Sequence, residues 1–491
     1  SKIDYCVVGD GEIIVQNLIK AIEQNNIKDD DLKKILGITY IDSKNTFRFT
    51  GYEHPLPAPL IESPDFKILE DDNCLDHFVN EMGSKAYYPD KKTIENFKST
   101  TVVVAKGCVA RCTFCHRFEK GYRVSPISKI MNHIKMLKEK YNVGFLRIGD
   151  ENFGSYKDET YELVKEIGNL GLKWSAAGVR AHTVDLEMLK FWRKNGCETI
   201  LFGIESGSPT MLKVMEKKIS LQQNINALKY AYEADLATVV QLVIGMPGET
   251  DQTIEETVNF LKRVMNYYPE SYKNRLTFLV SINYAQALPG TPLYEYAREK
   301  KFVGKNIEEE EEYLISISDK DAYDNDHFIN YTKQPLLKVY SWRHMINWKI
   351  FREHAKDNLK LDIPKHKVIT GLITMIFNKI FKTKLNSTLE KNMGKFKNDK
   401  TGEYYFNFTT EVRLVDGLRL LLPWNKLTYP FICLLIAYKE SMNIKWFFKL
   451  IFEHILWNFK KFDPSDLPKE TLRKIVNIND KDETVELRKG R

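Results

Sequence analysis

The chain of 491 residues reads as an α/β protein: a partial or full parallel (β/α) barrel, preceded by a small strand–turn–helix unit and followed by a mainly helical C-terminal domain. Three observations predict this. From Thr101 onward, short β-branched or apolar runs alternate with helix-period segments every ~30–40 residues, the signature of parallel strands joined by crossover helices. Ahead of that cycle a Gly9-Asp-Gly11 turn separates a short apolar run from a helix-period stretch. Behind it, from Tyr331, the pattern turns helical, aromatic and lysine-rich.

In chain order, Ile3 to about Asn25 reads as a buried strand, the turn, and an amphipathic helix on Ile13, Ile14, Leu18, Ile19 and Ile22. A strand pair is expected around Gly37–Ile41 and Thr46–Thr50, then a stiff extended link at Pro55-Leu-Pro-Ala-Pro59. The opening residues already read as the end of a strand, so the expectation is that earlier strands of this unit lie outside the sequence given. Residues 61–100 are taken as linker and 101–300 as the barrel.

Barrel strands are predicted at Thr101–Ala105, Val143–Ile148, Leu172–Ala176, Glu198–Ile204, Ala237–Ile244 and Leu276–Ala285. Helices are predicted at Ile127–Tyr141, Asp158–Leu170, Asp185–Asn195, Leu221–Ala234 and Thr253–Val264. Residues 301–330, with the run Glu308–Glu312, read as an acidic solvated hinge.

Charge is unevenly placed. From Tyr331 to Arg491 there are 31 Lys and Arg against 17 Asp and Glu, a surplus of +14 in a chain of net +7, which leaves −7 for the rest. Two stretches of this basic part, His366–Lys382 and Asn443–Phe462, set apolar and aromatic stripes among lysines. Such stripes suit packed helices of an ordinary domain or helices lying in a membrane interface. Neither has the roughly 20 uninterrupted apolar residues of a spanning helix, and Leu427–Tyr438 is short and holds Pro430.

Four cysteines, Cys6, Cys74, Cys197 and Cys433, are scattered without a disulfide pattern, which points to a reducing cytoplasm. The other three sit together in Lys106-Gly-Cys-Val-Ala-Arg-Cys-Thr-Phe-Cys-His116, after the first barrel strand and on the face where such barrels keep their chemistry. Structural zinc sites want four ligands, and no second half-site follows. A thioredoxin-like pair would leave Cys108 unexplained. Three thiolates suit a [4Fe–4S] cluster with one iron left open.

Cys108, Cys112 and Cys115, with Phe114 before the last cysteine, resemble the signature of the radical S-adenosylmethionine superfamily. That resemblance implies that the cysteines hold the cluster and that the open iron chelates the methionine end of S-adenosylmethionine. One electron then cleaves the sulfonium to give a 5′-deoxyadenosyl radical. It extends to further segments: Gly149-Asp-Glu-Asn-Phe153, Trp174–Arg180, Phe202–Ser208, Val243–Glu249 and Ala285–Tyr294 are similar to the family's later strand ends. It implies that Asp150 or Glu151 meets the methionine ammonium, Arg180 its carboxylate, and Glu205 and Ser206 the ribose or methionine part. Gly245, with Gly248, would let backbone approach adenine, and Phe114 would lie against that ring.

The N-terminal unit, residues 1–60, resembles the end of the Rossmann-like cobalamin-binding domain that precedes the barrel in one subfamily, with Gly9 and Gly11 near the corrin's nucleotide tail. An Asp-x-His-x-x-Gly lower-ligand motif is absent from the sequence. The implied activity is cobalamin-dependent C-methylation of a bulky or lipid-like small molecule, with radical cyclisation or dehydrogenation as the alternative and an iron–sulfur electron carrier as a remote one. Implied partners are the substrate and an electron donor such as flavodoxin or ferredoxin, with no nucleic acid. The expected place is an oxygen-poor cytoplasm, with peripheral contact to the inner membrane face.

Overall fold

The computed structural model describes residues 3–23, 28–81, 98–116, 121–267, 280–318, 328–354, 396–397, 404–405, 424–440 and 444–458. Strands β1 (Tyr5–Val7), β2 (Ile38–Ile41) and β3 (Phe47–Phe49) form a small antiparallel sheet in that order. The expected strand pair is β2 and β3. Strand β1 is not buried as expected: Cys6 is exposed, and Tyr5 and Val7 are half-buried. Helix Gly11–Glu23 buries Ile14 and Leu18 on this sheet with Ala21 packed beside them, while Ile13, Ile19 and Ile22 face outward. Five apolar residues spread too widely round the helix for one three-stranded sheet to cover.

Within 61–100, read as linker, helices Phe66–Asp71 and Leu75–Phe78 are followed by strand β4 (Asn80–Glu81), and Phe66 and Val79 enter the barrel core. Strand β4 pairs antiparallel with β5 (Lys98–Val102), capping the edge of the large sheet. Short strands β6 (Ala105–Lys106) and β7 (Arg123–Val124) pair antiparallel at the base of the cysteine loop. Then come β8 (Val143–Ile148), β9 (Lys173–Val179), β10 (Cys197–Glu205), β11 (Ala237–Ile244) and β12 (Val280–Tyr284).

The sheet runs β12-β11-β10-β9-β8-β5-β4, parallel throughout except at β4. Its first and last strands do not pair, so the barrel is partial. Because six strands run the same way, their C-terminal ends share one rim, and the loops that carry the candidate residues all rise from it.

The outer helices form for local reasons. In Ile127–Tyr141 the buried residues Ile130, Met131, Ile134, Leu137 and Tyr141 recur at helical spacing, each worth about 1.5–3 kcal/mol when fully buried. Ser220 with Gln223 and Thr250 with Thr253 make capping boxes that start Leu221–Glu233 and Asp251–Met265. Asp185 caps Leu186–Lys194 by accepting from the Met188 amide. Between β9 and that helix, Phe153, Trp174 and Trp192 interlock at centroid distances of 5.2–5.9 Å.

The C-terminal helices extend this core. In Leu336–His354, Trp342 Nε1 donates to Asp251 at 2.6 Å and Lys338 pairs with the same carboxylate at 2.7 Å, locking it onto Asp251–Met265. Tyr429–Glu440 and Ile444–Asn458 pack beside it. In the latter Leu450 is buried, whereas Phe448 and Phe452 are more than 60% exposed, so one helix serves the core on one side and leaves the other apolar side uncovered among the described residues. No described helix is long and apolar enough to cross a membrane. The stripe at 366–382 lies outside the described residues. The acidic run is not merely solvated: it begins helix Ile307–Ser318, and Glu310 accepts from Tyr294 Oη and pairs with Arg298 at 3.0 Å. Cys197 and Cys433 are buried, as expected of small apolar residues.

Candidate active site at the rim of the barrel

Gly107, with φ +83°, turns the chain out of β6 into the cysteine loop. The loop is tied down by Thr113, which is fully buried. Its amide donates to Met215 O at 3.0 Å, its hydroxyl to Val214 O at 3.0 Å, and its carbonyl accepts from the Leu293 amide at 2.9 Å. His116 Nδ1 lies 2.8 Å from Pro289 O. One loop is thus fastened to the segments that follow both β10 and β12. Phe114 is half-buried against the cluster containing Met211, Met215 and Leu293.

Cys112 is buried, Cys108 half-buried and Cys115 exposed as a residue. Surrounding protein nonetheless pushes the Cys115 thiol up to about 12, first by burial, then by the charges of Cys112 and Glu205. The Cys108 thiol is also raised, chiefly by burial, against which the Ala110 amide and Arg180 pull it down. Such thiols gain most from a cationic cluster that takes over their charge. Among the described residues no three His, Cys, Asp or Glu side chains are gathered for a single metal ion. A four-iron cluster asks less convergence, since each thiolate binds a different iron.

Beside the thiols, β10 ends in a bulge. Pairing with β11 slips between Gly203 and Glu205, and Glu205 takes φ +66°, a left-handed conformation that costs a non-glycine residue of order 1–3 kcal/mol and is concentrated at functional sites. The bend folds the Glu205 carboxylate back over Gly203 to meet Lys217 Nζ at 2.9 Å. A Cβ on Gly203 would stand 2.6 Å from Glu205 Oε1 and 3.0 Å from Lys217 Nζ. Lys217 is buried; burial disfavours its charge, but Glu205 and Cys112 outweigh this and raise its pKa. Arg180 is buried too, donates Nη2–H to Lys217 O at 2.9 Å, and keeps a buried Nε–H without a hydrogen-bond partner. The rim therefore holds an unused guanidinium donor, fit for a carboxylate.

Asp150 sits across the mouth of β5 and β8. Its Oδ1 accepts from the amides of Val104 at 2.8 Å and Ala105 at 3.3 Å, while buried Oδ2 has no hydrogen-bond partner. Burial pushes its carboxyl up to about 7, the two amides opposing. The charge of Glu151 adds to the rise of the Cys108 thiol. Because the folded value lies above the ordinary 3.8, Asp150 contributes stability in acid that is lost as pH rises from about 4 through about 7. Asp150→Asn keeps the Oδ1 bonds without the charge. Its thermal midpoint, measured from pH 5 to pH 8 on the cofactor-free chain, is expected to overtake that of the wild type as pH rises.

Other expected residues stand differently. The Ser206 hydroxyl lies 3.3 Å from Thr257 Oγ1 and 3.1 Å from the Ser208 amide, knotting β10 to helix Asp251–Met265. Gly245 (φ +86°) and Gly248 (φ +80°) shape the turn after β11, but the face of Gly245 read as open to adenine is covered by the Phe328 ring, 2.4 Å from where a Cβ would stand. That turn is held by Glu249, fully buried and pushed up to about 8 by its burial, which accepts from the Gly245 and Met246 amides. Gly9 and Gly11 flank Asp10, which bonds to Lys106 and Arg123 at the base of the cysteine loop. Sequence reasoning missed Lys217 and Glu249; the only available signals were a lysine inside Glu216-Lys-Lys218 and an acid ending Gly245-Met-Pro-Gly-Glu249.

Residues 102–261 match the Radical SAM superfamily. The chain is 28% identical over 303 residues to an uncharacterized methyltransferase of Pyrococcus horikoshii, covering 60% of this chain and 58% of that protein. It is 26% identical over 313 residues to the anaerobic magnesium-protoporphyrin IX monomethyl ester cyclase of Cereibacter sphaeroides, covering 61% of this chain and 45% of that one. The chain thus spans about half the length of these curated relatives. The solved cobalamin-dependent S-adenosylmethionine radical enzyme OxsB, with aqua-cobalamin and S-adenosylmethionine bound, shares the fold at a TM-score of 0.50 and 15% identity, covering 92% of this chain and 68% of that one. The matched span, about a third of the chain, starts at the last residue of β5 and contains the cysteine loop and all of β8 to β11.

Proposed function

We propose that this chain forms the catalytic part of a cobalamin-dependent radical S-adenosylmethionine enzyme that methylates carbon in a bulky or lipid-like small molecule. The observation that carries the reading is the cysteine loop fastened at Thr113 and His116 to the ends of β10 and β12, which sets three thiols beside Glu205, Lys217 and Arg180. Cys108, Cys112 and Cys115 would hold the [4Fe–4S] cluster. When bound, the cluster supplies the electron that breaks the sulfonium bond of S-adenosylmethionine, and cobalamin supplies a transferable methyl group.

The chain's own residues bind and orient. Arg180 offers its spare Nε–H to the methionine carboxylate, Glu151 faces the ammonium from the Cys108 side, and the Glu205–Lys217 pair presents a fixed dipole to the ribose hydroxyls. Residues 1–60 would end the cobalamin-binding domain, a reading supported by the cobalamin-dependent enzyme that shares this fold. The basic C-terminal third and the outward Phe448, Phe452, Ile455 and Leu456 support a lipid-like substrate and peripheral contact with an anionic membrane. A flavodoxin or ferredoxin would deliver the electron. Radical cyclisation is the second reading, favoured by the likeness to the monomethyl ester cyclase.

The test is anaerobic reconstitution of the longest native reading frame with hydroxocobalamin, followed by turnover with trideuteromethyl-labelled S-adenosylmethionine in a substrate-containing extract. Retained corrin absorption and a product carrying the labelled methyl are expected. A chain that forms 5′-deoxyadenosine yet retains no corrin, and whose product loses hydrogen without gaining label, would move the function to the second reading.

A further inference from the structure

The loop that carries all three cysteines is closed at its base by β6 and β7, in which Lys106 and Arg123 stand directly opposite each other. Like charges at directly opposed positions of an antiparallel pair repel. The ladder at this base is two residues long, continued by the Ser125 amide donating to Val104 O at 3.0 Å, and Cys108 lies two residues beyond it. The opposing charge comes from the other sheet. Asp10, in the turn between β1 and helix Gly11–Glu23, has a side chain only 6% exposed, with Oδ1 3.2 Å from Lys106 Nζ and Oδ2 3.0 Å from Arg123 Nη1.

The arrangement is doubled. Glu12 takes Lys106 Nζ at 2.6 Å, the Leu56 amide donates to Asp10 at 2.7 Å, and Arg123 also donates to Leu56 O. Burial of Asp10 works against its ionisation, but the Leu56 amide, Arg123 and Lys106 prevail and hold its carboxyl below the ordinary carboxylate range. The turn geometry serves the same end: Gly9 takes φ +104°, and the backbone before it is fixed by the Val8 amide donating to Gly37 O at 2.7 Å.

We propose that Asp10 is a positioning residue for the cysteine loop: its carboxylate bridges the opposed Lys106 and Arg123, with Glu12 sharing Lys106, so the small N-terminal sheet sets the geometry of the loop that would hold the cluster. The importance of this link rests on the cysteines being cluster ligands, but the link itself can be read without a cluster. Whatever binds or shifts the N-terminal unit then acts on the loop through this carboxylate, with Glu12 and Leu56 O beside it.

The test is hydrogen–deuterium exchange of the full cluster-free chain over peptides spanning residues 98–116, in wild type, Asp10→Asn, and Asp10→Asn combined with Lys106→Met. Asp10→Asn is expected to speed exchange in these peptides about tenfold, and removing Lys106 in that background to bring it back to within about twofold of wild type, because the repulsion is gone. Chelator-driven cluster loss from the reconstituted proteins should follow the same order. Asp10→Asn with wild-type exchange, or a double variant no better protected than the single one, would overturn the proposal. If Asp10→Asn fails to fold, a folded and protected double variant still supports it, and an unfolded double variant overturns it. A wild-type chain that takes up no cluster would defeat the proposed function while leaving the exchange result to decide the clamp.

Discussion

Cys112→Ala is expected to abolish reductive formation of 5′-deoxyadenosine, a fall of at least about a thousandfold, or about 4 kcal/mol of barrier. Cys112 is the buried member of the three, and its carbonyl, which the alanine variant keeps, accepts from the Cys115 amide at 3.4 Å, so the substitution removes only the thiol at the centre of the turn. Cys108→Ala and Cys115→Ala should match it. His116→Ala provides the contrast. Its ring meets Pro289 O, and losing a hydrogen bond worth about 1 kcal/mol translates to roughly a fivefold loss. The measurement is 5′-deoxyadenosine per iron after anaerobic reconstitution and dithionite reduction. A His116 variant as dead as the cysteine variants would make His116 part of the ligand set.

The second large effect is expected at Lys217. Lys217→Met leaves the Glu205 carboxylate, itself 12% exposed, without its buried partner, and breaking a buried pair from one side costs about 3–5 kcal/mol of stability. Adding Glu205→Gln should return most of the melting temperature, since no isolated charge then remains. S-Adenosylmethionine use should not return with it: the double variant is expected to keep a raised KM for S-adenosylmethionine, because the Glu205–Lys217 charges are gone from the rim. Thermal melting and steady-state 5′-deoxyadenosine formation on the four proteins separate the two roles. Recovery of both stability and KM in the double variant would make the pair purely structural.

Much of the barrel was legible because its periodicities are strong. Ala237–Ile244 and Ile127–Tyr141 lie where the sequence pattern places them. The first strand was displaced because it begins Lys98-Ser-Thr-Thr: Ser99 and Thr100 are 1% exposed, and burial of hydroxyl side chains leaves no hydrophobic signal. Edge strand β4 was hidden inside apparent linker for a related reason, being two polar residues long.

At the site, Glu151, Arg180 and Glu205 were named from the sequence and stand near the cysteine loop, whereas Lys217 was not named. Lys217 lies in a charged run that reads as solvated, and the bulge at Glu205 brings a carboxylate to it. The reading of Gly245 took its missing side chain as room for a ligand, and tertiary packing put Phe328 there. Asp150 and Glu151 are adjacent in sequence and opposite in duty, one bracing two strand ends and the other acting on Cys108.

The central claim is that three cysteines at this rim hold a cluster whose fourth iron binds S-adenosylmethionine. It is tested most directly by electron–nuclear double resonance on the one-electron-reduced, reconstituted chain with S-adenosylmethionine labelled with nitrogen-15 at the methionine amine. The account predicts a nitrogen-15 coupling to the cluster spin that is present in the wild type. A fully assembled four-iron cluster showing no such coupling, or three cysteines that bind zinc in place of iron under the same conditions, would contradict it.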